Sequence, residues 1–191
     1  MNINLGCGKF PKPGFVNVDR ESEPGVDVVH DLNEFPYPFP NGAATLIEMD
    51  HVLEHLREPF RVMKEIHRIL RPGGRVVVRV PHFSRGFTHP EHKRGFSSTF
   101  PFYFSRDFKG EFMGVDFVHV STKMSWLAQI YLLRTIFNAP TVAALSAINF
   151  ILNGLANQSP HFCSKFWCYW VGGFDEIAFD LQRPSGASPA G

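Results

Sequence analysis

The sequence has few cysteines and no excess charge of either sign. Cys163 and Cys168 are five residues apart and Cys7 lies between two glycines, so the three cysteines form no Cys-x-x-Cys pair. Three cysteines without such a pair suit a reducing cytoplasm, where we expect the protein to reside. Nineteen basic residues against eighteen acidic ones leave a net charge of +1, which lacks the surplus that binding to a phosphate backbone usually needs. We therefore expect no nucleic-acid partner.

Uninterrupted apolar runs and internal repeats are also missing. No apolar run reaches the length of a membrane-spanning helix without a polar interruption. Residues 1–6 contain no basic region followed by an apolar stretch, so we expect no secretory signal. A chain of 191 residues with 44% hydrophobic content can bury one substantial core. We expect one domain over residues 1–182 and a disordered tail, rich in Pro, Gly, Ser and Ala, over residues 183–191.

Short β-rich runs alternate with helical or turn segments over the first hundred residues. This alternation is typical of a mostly parallel sheet in an α/β fold. The predicted strands are residues 2–5, 15–18, 26–30, 44–49 and 75–80. Apolar residues at helical spacing predict a helix over 60–70, which Pro72-Gly73-Gly74 ends. The sequence becomes strand-like again from Val115, and residues 175–181 are the last predicted strand.

Three predicted strands end in residues suited to binding a nucleoside. The first runs into Gly6-Cys7-Gly8, where glycine permits positive φ and close approach of a ligand. The second ends in Asp19, which can accept two hydrogen bonds from a ribose diol. The third ends in Asp31-Leu32, where the carboxylate can accept from an adenine amino group and the next N–H can serve a ring nitrogen. For either aspartate taken singly, a turn or capping role is the alternative.

Five sequence runs resemble the class I S-adenosylmethionine-dependent methyltransferases, especially the small type 11 group. They occur in the order and spacing of that family and cover roughly the first hundred residues. The runs are Leu5-Gly6-Cys7-Gly8, Val16-Asn17-Val18-Asp19, His30-Asp31-Leu32, His51-Val52-Leu53-Glu54-His55-Leu56 and Leu70-Arg71-Pro72-Gly73-Gly74-Arg75. The resemblance implies a Rossmann-like, seven-stranded, mostly parallel sheet in the order 3-2-1-4-5-7-6. It also implies an antiparallel seventh strand and helices on both faces.

The resemblance further implies S-adenosylmethionine as the cofactor and a set of contacts to it. The implied contacts are Gly6, Cys7 and Gly8 at the methionine part, Asp19 at the ribose, Asp31 and Leu32 at the adenine, and His51 at the sulfonium. Two features depart from the family. Asn4 stands where an acidic residue is usual, and it can accept a hydrogen bond from the amino group of the cofactor without adding charge. The two prolines within 9–14 leave no room for the usual first crossover helix.

The loop after the fifth predicted strand should border the site of the methyl acceptor. In an open α/β sheet, loops at the carboxyl ends of strands face the ligand crevice. A histidine suits a general base for an acceptor hydroxyl because its pKa lies near neutrality. His82 is the first candidate, followed by His51 and His92, and a packing role is the alternative for each. The nearby cations Arg85, Lys93 and Arg94 either bind an anionic acceptor or are solvated surface charges.

A metal site is an alternative use of the same histidines. His51 and His55 are four residues apart, and His89 and His92 are three apart, spacings at which imidazoles can share a metal ion. Glu54 and His55 also fit a helical turn that covers the edge of the sheet. On these grounds we expect no metal.

The apolar segment 126–173 is predicted to be a helical insertion before the last strand, with helices near 126–137 and 141–155. Aromatic residues most often cover a sheet, so we expect this segment to cover the sheet and border the acceptor pocket. Weak contact with a membrane surface is the alternative. Ser146, Asn149 and Asn153 interrupt the apolar run.

The expected function is methyl transfer from S-adenosylmethionine to a hydroxyl oxygen, with nitrogen less favoured, of a small molecule or glycoconjugate. A non-catalytic nucleoside-binding module is one alternative, because the first crossover helix is missing. A nicotinamide-dependent oxidoreductase is another, although the helix that would bind a pyrophosphate is absent. The sequence leaves the oligomeric state open.

Overall fold

A single seven-stranded sheet organises the computed structural model, which describes residues 1–87 and 89–186. The strand order is β3-β2-β1-β4-β5-β7-β6. Strands β1 to β5 run parallel, and β7 is antiparallel to both β5 and β6. The strands are β1 (Asn2–Leu5), β2 (Val16–Asp19), β3 (Val28–Val29), β4 (Ala44–Asp50), β5 (Leu70–Pro81), β6 (Val118–Ser125) and β7 (Glu176–Gln182). The predicted order and the antiparallel last strand are confirmed.

The alternation of apolar residues explains which strand faces are buried. In β7, Ile177, Phe179 and Leu181 are fully buried and the residues between them are half-buried. The period of two is that of a strand with one face on the core. In β5, Val76, Val78 and Val80 follow the same pattern. These two strands therefore pair in register and share one core face.

Helix α1 (Pro59–Ile69) joins β4 to β5 and confirms the helix predicted over 60–70. Pro59 stands in the first turn, where its missing N–H removes no intrahelical bond. Val62, Met63, Ile66 and Ile69 form the buried stripe. Strand β5 begins at Leu70, directly after the helix, so Pro72-Gly73-Gly74 belongs to the irregular start of that strand instead of separating the two elements. A register shift between Ala44 and Leu46 of β4 accompanies this irregularity.

The connection between β1 and β2 contains no helix, as its prolines predict. Residues 1–58, all of which the structure describes, contain no α-helix. The side chain of Asn17 holds the connection instead: its Oδ1 accepts from Lys12 N at 2.7 Å and from Asn4 Nδ2 at 3.0 Å. A buried amide thus replaces the packing that a crossover helix would supply.

The helical insertion before the last strand is present as predicted. It contains α2 (Ala139–Ala156), α3 (Pro160–Lys165) and the short 3-10 helices Ile130–Thr135 and Trp167–Tyr169. Helix α2 is long and apolar enough to cross a membrane, with a mean hydropathy of 1.4 over 18 residues of which 11% are buried. Ser146, Asn149 and Asn153 interrupt its apolar sequence, as expected.

Asparagines attach this insertion to the end of β6. Asn157 Oδ1 accepts from Met124 N at 2.8 Å, Asn153 Oδ1 from Trp126 N at 2.7 Å, and Asn149 Oδ1 from Leu127 N at 3.0 Å. Three residues spaced four apart lie on one side of a helix. Asn149 and Asn153, two of the three residues that interrupt the apolar run, thus help Asn157 to dock α2.

The chain stays ordered one residue past the predicted domain end. Arg183 N donates to Gly74 O at 2.9 Å, and Gly73 N donates to Arg183 O at 2.9 Å. The Arg183 guanidinium also donates to His67 O at 2.9 Å. The predicted disordered tail, residues 183–191, is therefore wrong at Arg183. Residues 187–191 of that tail lie outside the described residues.

Candidate cofactor and acceptor sites

The glycine turn after β1 requires glycine at its first position. Gly6 has φ +71°, and a Cβ placed there would lie 2.3 Å from Val52 Cγ2. The turn is tied to β2 because Gly6 N donates to Val18 O at 2.8 Å and Gly8 N to Asp19 Oδ2 at 2.8 Å. The backbone therefore passes close to the chain after β4, at the carboxyl ends of β1 and β2.

A hollow of about 450 Å³ lies at the carboxyl ends of the first four strands. Five of the residues predicted to bind cofactor line it: Gly6, Asp19, Asp31, Leu32 and His51. The other lining residues were not predicted as cofactor contacts: Arg20, His30, Asn33, Val52, His55, Leu56, Arg57, Glu91 and Lys93. The volume is within the range of small-molecule sites.

Both predicted nucleoside aspartates also serve turns. Asp19 accepts from Gly8 N through Oδ2 and lies 3.4 Å from Glu21 N through Oδ1. Asp31 Oδ1 accepts from Asn33 N at 2.8 Å and from Asn33 Nδ2 at 2.9 Å. The backbone hydrogen bond from Asn33 lowers the pKa of Asp31, which keeps it ionised. The turn role and a position on the hollow coexist in each, and their contacts to ribose and adenine stay predictions.

Three predicted cofactor residues do not line this hollow. Asn4 is buried, and its Nδ2 donates to Asn17 Oδ1 and to Phe10 O. Asn4 therefore anchors the β1–β2 connection. Its side chain is not exposed where it could contact the amino group of a cofactor. Cys7 is buried, and desolvation, followed by the charge of Asp19, raises the pKa of its thiol. Gly8 does not line the hollow, but its N–H donates to Asp19, which does.

His82 lies in the core and does not line this hollow. It is fully buried, with Nδ1 2.7 Å from Ser84 Oγ and Nε2 2.9 Å from Ser164 Oγ. Burial lowers its pKa to about 4, so the ring is neutral. The prediction that its imidazole faces the crevice is wrong because the chain turns inward after β5 and the ring bridges two buried hydroxyls.

His51 sits directly after β4, between two carboxylates. Its Nε2 is 3.0 Å from Glu176 Oε2 and its Nδ1 is 3.3 Å from Glu54 Oε1. Its backbone has φ +54°, the left-handed region that non-glycine residues seldom adopt. The contact with Glu176, reinforced by Glu54, raises the pKa of His51 to about 10. The ring is therefore an imidazolium at neutral pH and has no lone pair to act as a base.

A second hollow, of about 390 Å³, adjoins the first. Its lining residues are His51, His55, Pro81, Arg85, His89, His92, Ala128, Gln129 and Asp175. His51 and His55 line both hollows. The loop after β5 therefore borders a second space, as predicted for an acceptor, and His92 is the remaining base candidate on it.

Comparison with known proteins shows that the chain is similar to methyltransferases. The family model described as "Methyltransferase domain", type 11, matches residues 11–78. A methyltransferase dependent on S-adenosylmethionine from Mesorhizobium loti has TM-score 0.55 and 10% identity, covering 95% of this chain and 90% of that one. Another from Archaeoglobus fulgidus has TM-score 0.55 and 15% identity, covering 95% and 85%. The [4+2]-cyclase SpnF has TM-score 0.53 and 15% identity, covering 97% and 74%. No curated protein matches the chain.

The chain has the class I methyltransferase fold, and its residues 11–78 match the model of the type 11 methyltransferase domain. S-adenosylmethionine is the cofactor of this family, as the resemblance implies. The first hollow lies at the carboxyl ends of β1 to β3, where open α/β sheets bind their ligands.

Two of the predicted acceptor cations, Arg85 and Arg94, hold backbone in place. Arg85 Nη1 donates to Trp126 O at 2.9 Å and to Asp175 Oδ1 at 2.8 Å. Arg94 donates to the carbonyls of Leu56 and Arg57. Arg85 thereby ties the loop after β5 to the helical insertion, while it still borders the second hollow.

Proposed function

We propose that the protein is an S-adenosylmethionine-dependent methyltransferase that methylates a hydroxyl oxygen of a small molecule or glycoconjugate. The observation that carries the proposal is the junction of the two hollows at His51 and His55. A methyl donor in the first hollow and an acceptor in the second would meet there. Holding two reactants in line is the main source of rate enhancement in such a transfer.

Among the three histidines proposed as bases, His92 has the geometry that fits an acceptor site. His82 is buried, and His51 is an imidazolium. His92 lines the second hollow, and its Nδ1 lies 2.7 Å from Gly86 O, which fixes the proton on Nδ1 and leaves a lone pair on Nε2. The Nε2 lone pair of His92 is therefore available at the acceptor site, either as a base or as a ligand for a group that activates the hydroxyl.

Other functions on this fold remain as rivals. The [4+2]-cyclase SpnF shares the fold, so the fold alone does not supply methyl transfer. A nucleoside-binding module without chemistry would need only the first hollow. A nicotinamide-dependent oxidoreductase is disfavoured because residues 1–58 offer no helix N-terminus for a pyrophosphate.

The test separates cofactor binding from turnover. We expect S-adenosylhomocysteine to bind the full-length protein by calorimetry, and a panel of hydroxylated metabolites and sugar conjugates to contain an acceptor that takes up labelled methyl. Binding without turnover on the whole panel would favour the binding module. Tight binding of a nicotinamide dinucleotide without binding of S-adenosylhomocysteine would favour the oxidoreductase.

We also propose that residues 126–173 make weak contact with an anionic membrane surface, consistent with the proposed cytoplasmic location. Large apolar side chains there are exposed, including Phe150 at 82%, Trp170 at 78% and Ile136 at 71%. The sequence from 117 to 174 contains no Asp or Glu, while it carries Lys123, Arg134 and Lys165. Apolar side chains combined with only basic charges are complementary to anionic lipid.

A further inference from the structure

Glu54 carries a buried carboxylate without a hydrogen-bond donor. The residue is fully buried, and neither Oε1 nor Oε2 accepts a hydrogen bond from any residue that the structure describes. His51 Nδ1 lies 3.3 Å from Oε1 and His92 Nε2 lies 3.8 Å from it, distances of ion pairing without hydrogen-bond geometry. The His51 imidazolium is shared with Glu176, to which it lies closer, so the desolvated carboxylate of Glu54 is only partly compensated and favours a further cation.

The histidines beside Glu54 are oriented as metal ligands usually are. His55 Nδ1 lies 3.3 Å from Glu91 O, and His92 Nδ1 lies 2.7 Å from Gly86 O. A backbone carbonyl on Nδ1 holds the proton there and leaves the Nε2 lone pair for a ligand. The loop that carries His92 is fixed by the hydrogen bond from Lys93 N to Glu54 O at 3.1 Å.

We propose that Glu54, His55 and His92 bind one divalent transition-metal ion. Their ligand atoms all lie within 4.8 Å of one another. The ring of His89 is 4.9 Å from that of His92 and 5.9 Å from that of His55, which makes His89 a candidate fourth ligand. Two imidazoles and one carboxylate suit Zn²⁺, Mn²⁺ or Fe²⁺.

Sequence spacing alone did not favour this site. The spacing argument pairs His51 with His55, whereas the structure turns His51 toward Glu176 and puts Glu54 in its place. Which side chain points inward depends on the turn after β4, where His51 takes a positive φ. The buried carboxylate is the observation that separates this cluster from a surface group of histidines.

The position of the site gives the ion a role that rests on the proposed function. His55 lines both hollows and His92 lines the second, so a bound ion would face the acceptor. A coordinated hydroxyl loses its proton to solvent at a lower pH than a free one. Its oxygen then forms the bond to the methyl carbon as the carbon–sulfur bond breaks, and S-adenosylhomocysteine leaves with the sulfur electron pair.

Metal binding can be measured without turnover. Full-length protein is stripped with a chelator, and Zn²⁺ and Mn²⁺ are titrated separately by calorimetry, with bound metal counted by mass spectrometry. We expect one ion per chain, and a loss of affinity of at least about 100-fold in Glu54→Gln, since even outer-shell changes cost up to that much. His55→Gln provides a second variant if Glu54→Gln fails to fold.

His119→Gln is the matched control because His119 is exposed on β6, away from the cluster. It should bind metal as the parent does. The inference is overturned if neither ion binds the parent, or if the folded cluster variants bind with parental affinity. S-adenosylhomocysteine binding is measured on the same samples. If S-adenosylhomocysteine binds but neither metal ion binds, this inference alone is refuted. If a metal ion binds but S-adenosylhomocysteine does not, the proposed function is refuted.

Discussion

His51 Nε2 lies 3.0 Å from Glu176 Oε2, although the two residues are 125 positions apart in the chain. The contact joins the turn after β4 to the first residue of β7, which are brought together because β7 inserts between β5 and β6. It fixes the imidazolium at the junction of the two hollows. The last strand of the fold thus contributes a charge to a site built mainly from the first four strands.

Glu176→Gln should lower the pKa of His51 and destabilise the protein near neutral pH. A hydrogen bond to a charged partner contributes about 1.5–3 kcal/mol, which is the expected loss at pH 7. Because the folded pKa of His51, about 10, is above its ordinary value of 6.5, this contribution is full below pH 6.5 and is lost as the pH rises through 10.

Urea unfolding of the parent and of Glu176→Gln between pH 6 and pH 10.5 tests this linkage. The difference in unfolding free energy between the two proteins should shrink toward pH 10.5. A constant difference across that range would mean that His51 is not held as an imidazolium by Glu176. Asp180→Asn, which changes an acid elsewhere on β7, is the control.

His82 is predicted to act in stability and not in proton transfer. Its folded pKa, about 4, is below its ordinary value of 6.5, so the neutral buried ring contributes stability above pH 6.5 that is lost as the pH falls through 4. The loss should be on the order of 3 kcal/mol, the free energy that corresponds to such a change in pKa.

The measurement compares the parent with His82→Gln, which keeps hydrogen-bonding groups for Ser84 and Ser164 without titrating. Unfolding at pH 7 and pH 4.5 should show that the parent loses more stability than the variant on acidification. Affinity for S-adenosylhomocysteine should be parental in His82→Gln. If the variant keeps its stability but loses single-turnover activity, the assignment of His82 to the core is incorrect.

Asp19 should carry a large share of cofactor affinity. It lines the first hollow and holds Gly8 N through Oδ2 at 2.8 Å. Asp19→Asn can still accept from Gly8, whereas Asp19→Ala cannot, so the pair separates the turn from the nucleoside contact. We expect both variants to bind S-adenosylhomocysteine about tenfold or more weakly, a loss of about 1.4 kcal/mol.

The thermal shift caused by S-adenosylhomocysteine reports the same affinity, because a ligand that binds only the folded state stabilises it. Glu23→Ala, an exposed acid in the next turn, is the control and should behave as the parent. Parental affinity in Asp19→Asn with weakened binding in Asp19→Ala would assign Asp19 to the turn alone.

The helices and strands could be predicted because their determinants are local, whereas the strand order followed from the family resemblance. Alternation in β7, helical spacing in α1 and the prolines of the β1–β2 connection each act within a few residues. The site could be predicted only where strand ends place residues, as at Gly6 and Asp31. Side-chain direction after a strand depends on tertiary packing, which explains the wrong placement of His82.

Asn4 and Glu54 also have side-chain environments that could not be predicted from the sequence. Asn4 follows the family position of a cofactor contact, yet the absent crossover helix leaves backbone groups that its amide satisfies. Glu54 looks like an ordinary helical-turn residue in sequence, yet it is fully buried against three histidines. Neither outcome is encoded in spacing, because each depends on a missing or distant element.

The exposed apolar side chains of the helical insertion should bind anionic vesicles weakly. In cosedimentation, we expect the protein to pellet with vesicles of phosphatidylcholine containing 30% phosphatidylserine more than with phosphatidylcholine alone, because about 1 kcal/mol is contributed by each basic residue near an anionic surface. Binding should weaken as salt rises, since the Debye length shortens from about 10 Å at 0.1 M to about 3 Å at 1 M.

Phe150→Ser with Trp170→Ser should reduce vesicle binding, and Lys165→Glu should reduce its dependence on phosphatidylserine. Phe10→Ser is the matched control, since Phe10 is 76% exposed but lies in the β1–β2 connection. Alkaline carbonate should release the bound protein, because the asparagines at 149, 153 and 157 hold α2 against β6 and keep it from spanning the bilayer. Resistance to carbonate would instead indicate that α2 inserts into the bilayer. Equal sedimentation with both vesicle types would refute an anionic surface as the partner. Self-association of the protein that the serine variants abolish would refute it as well.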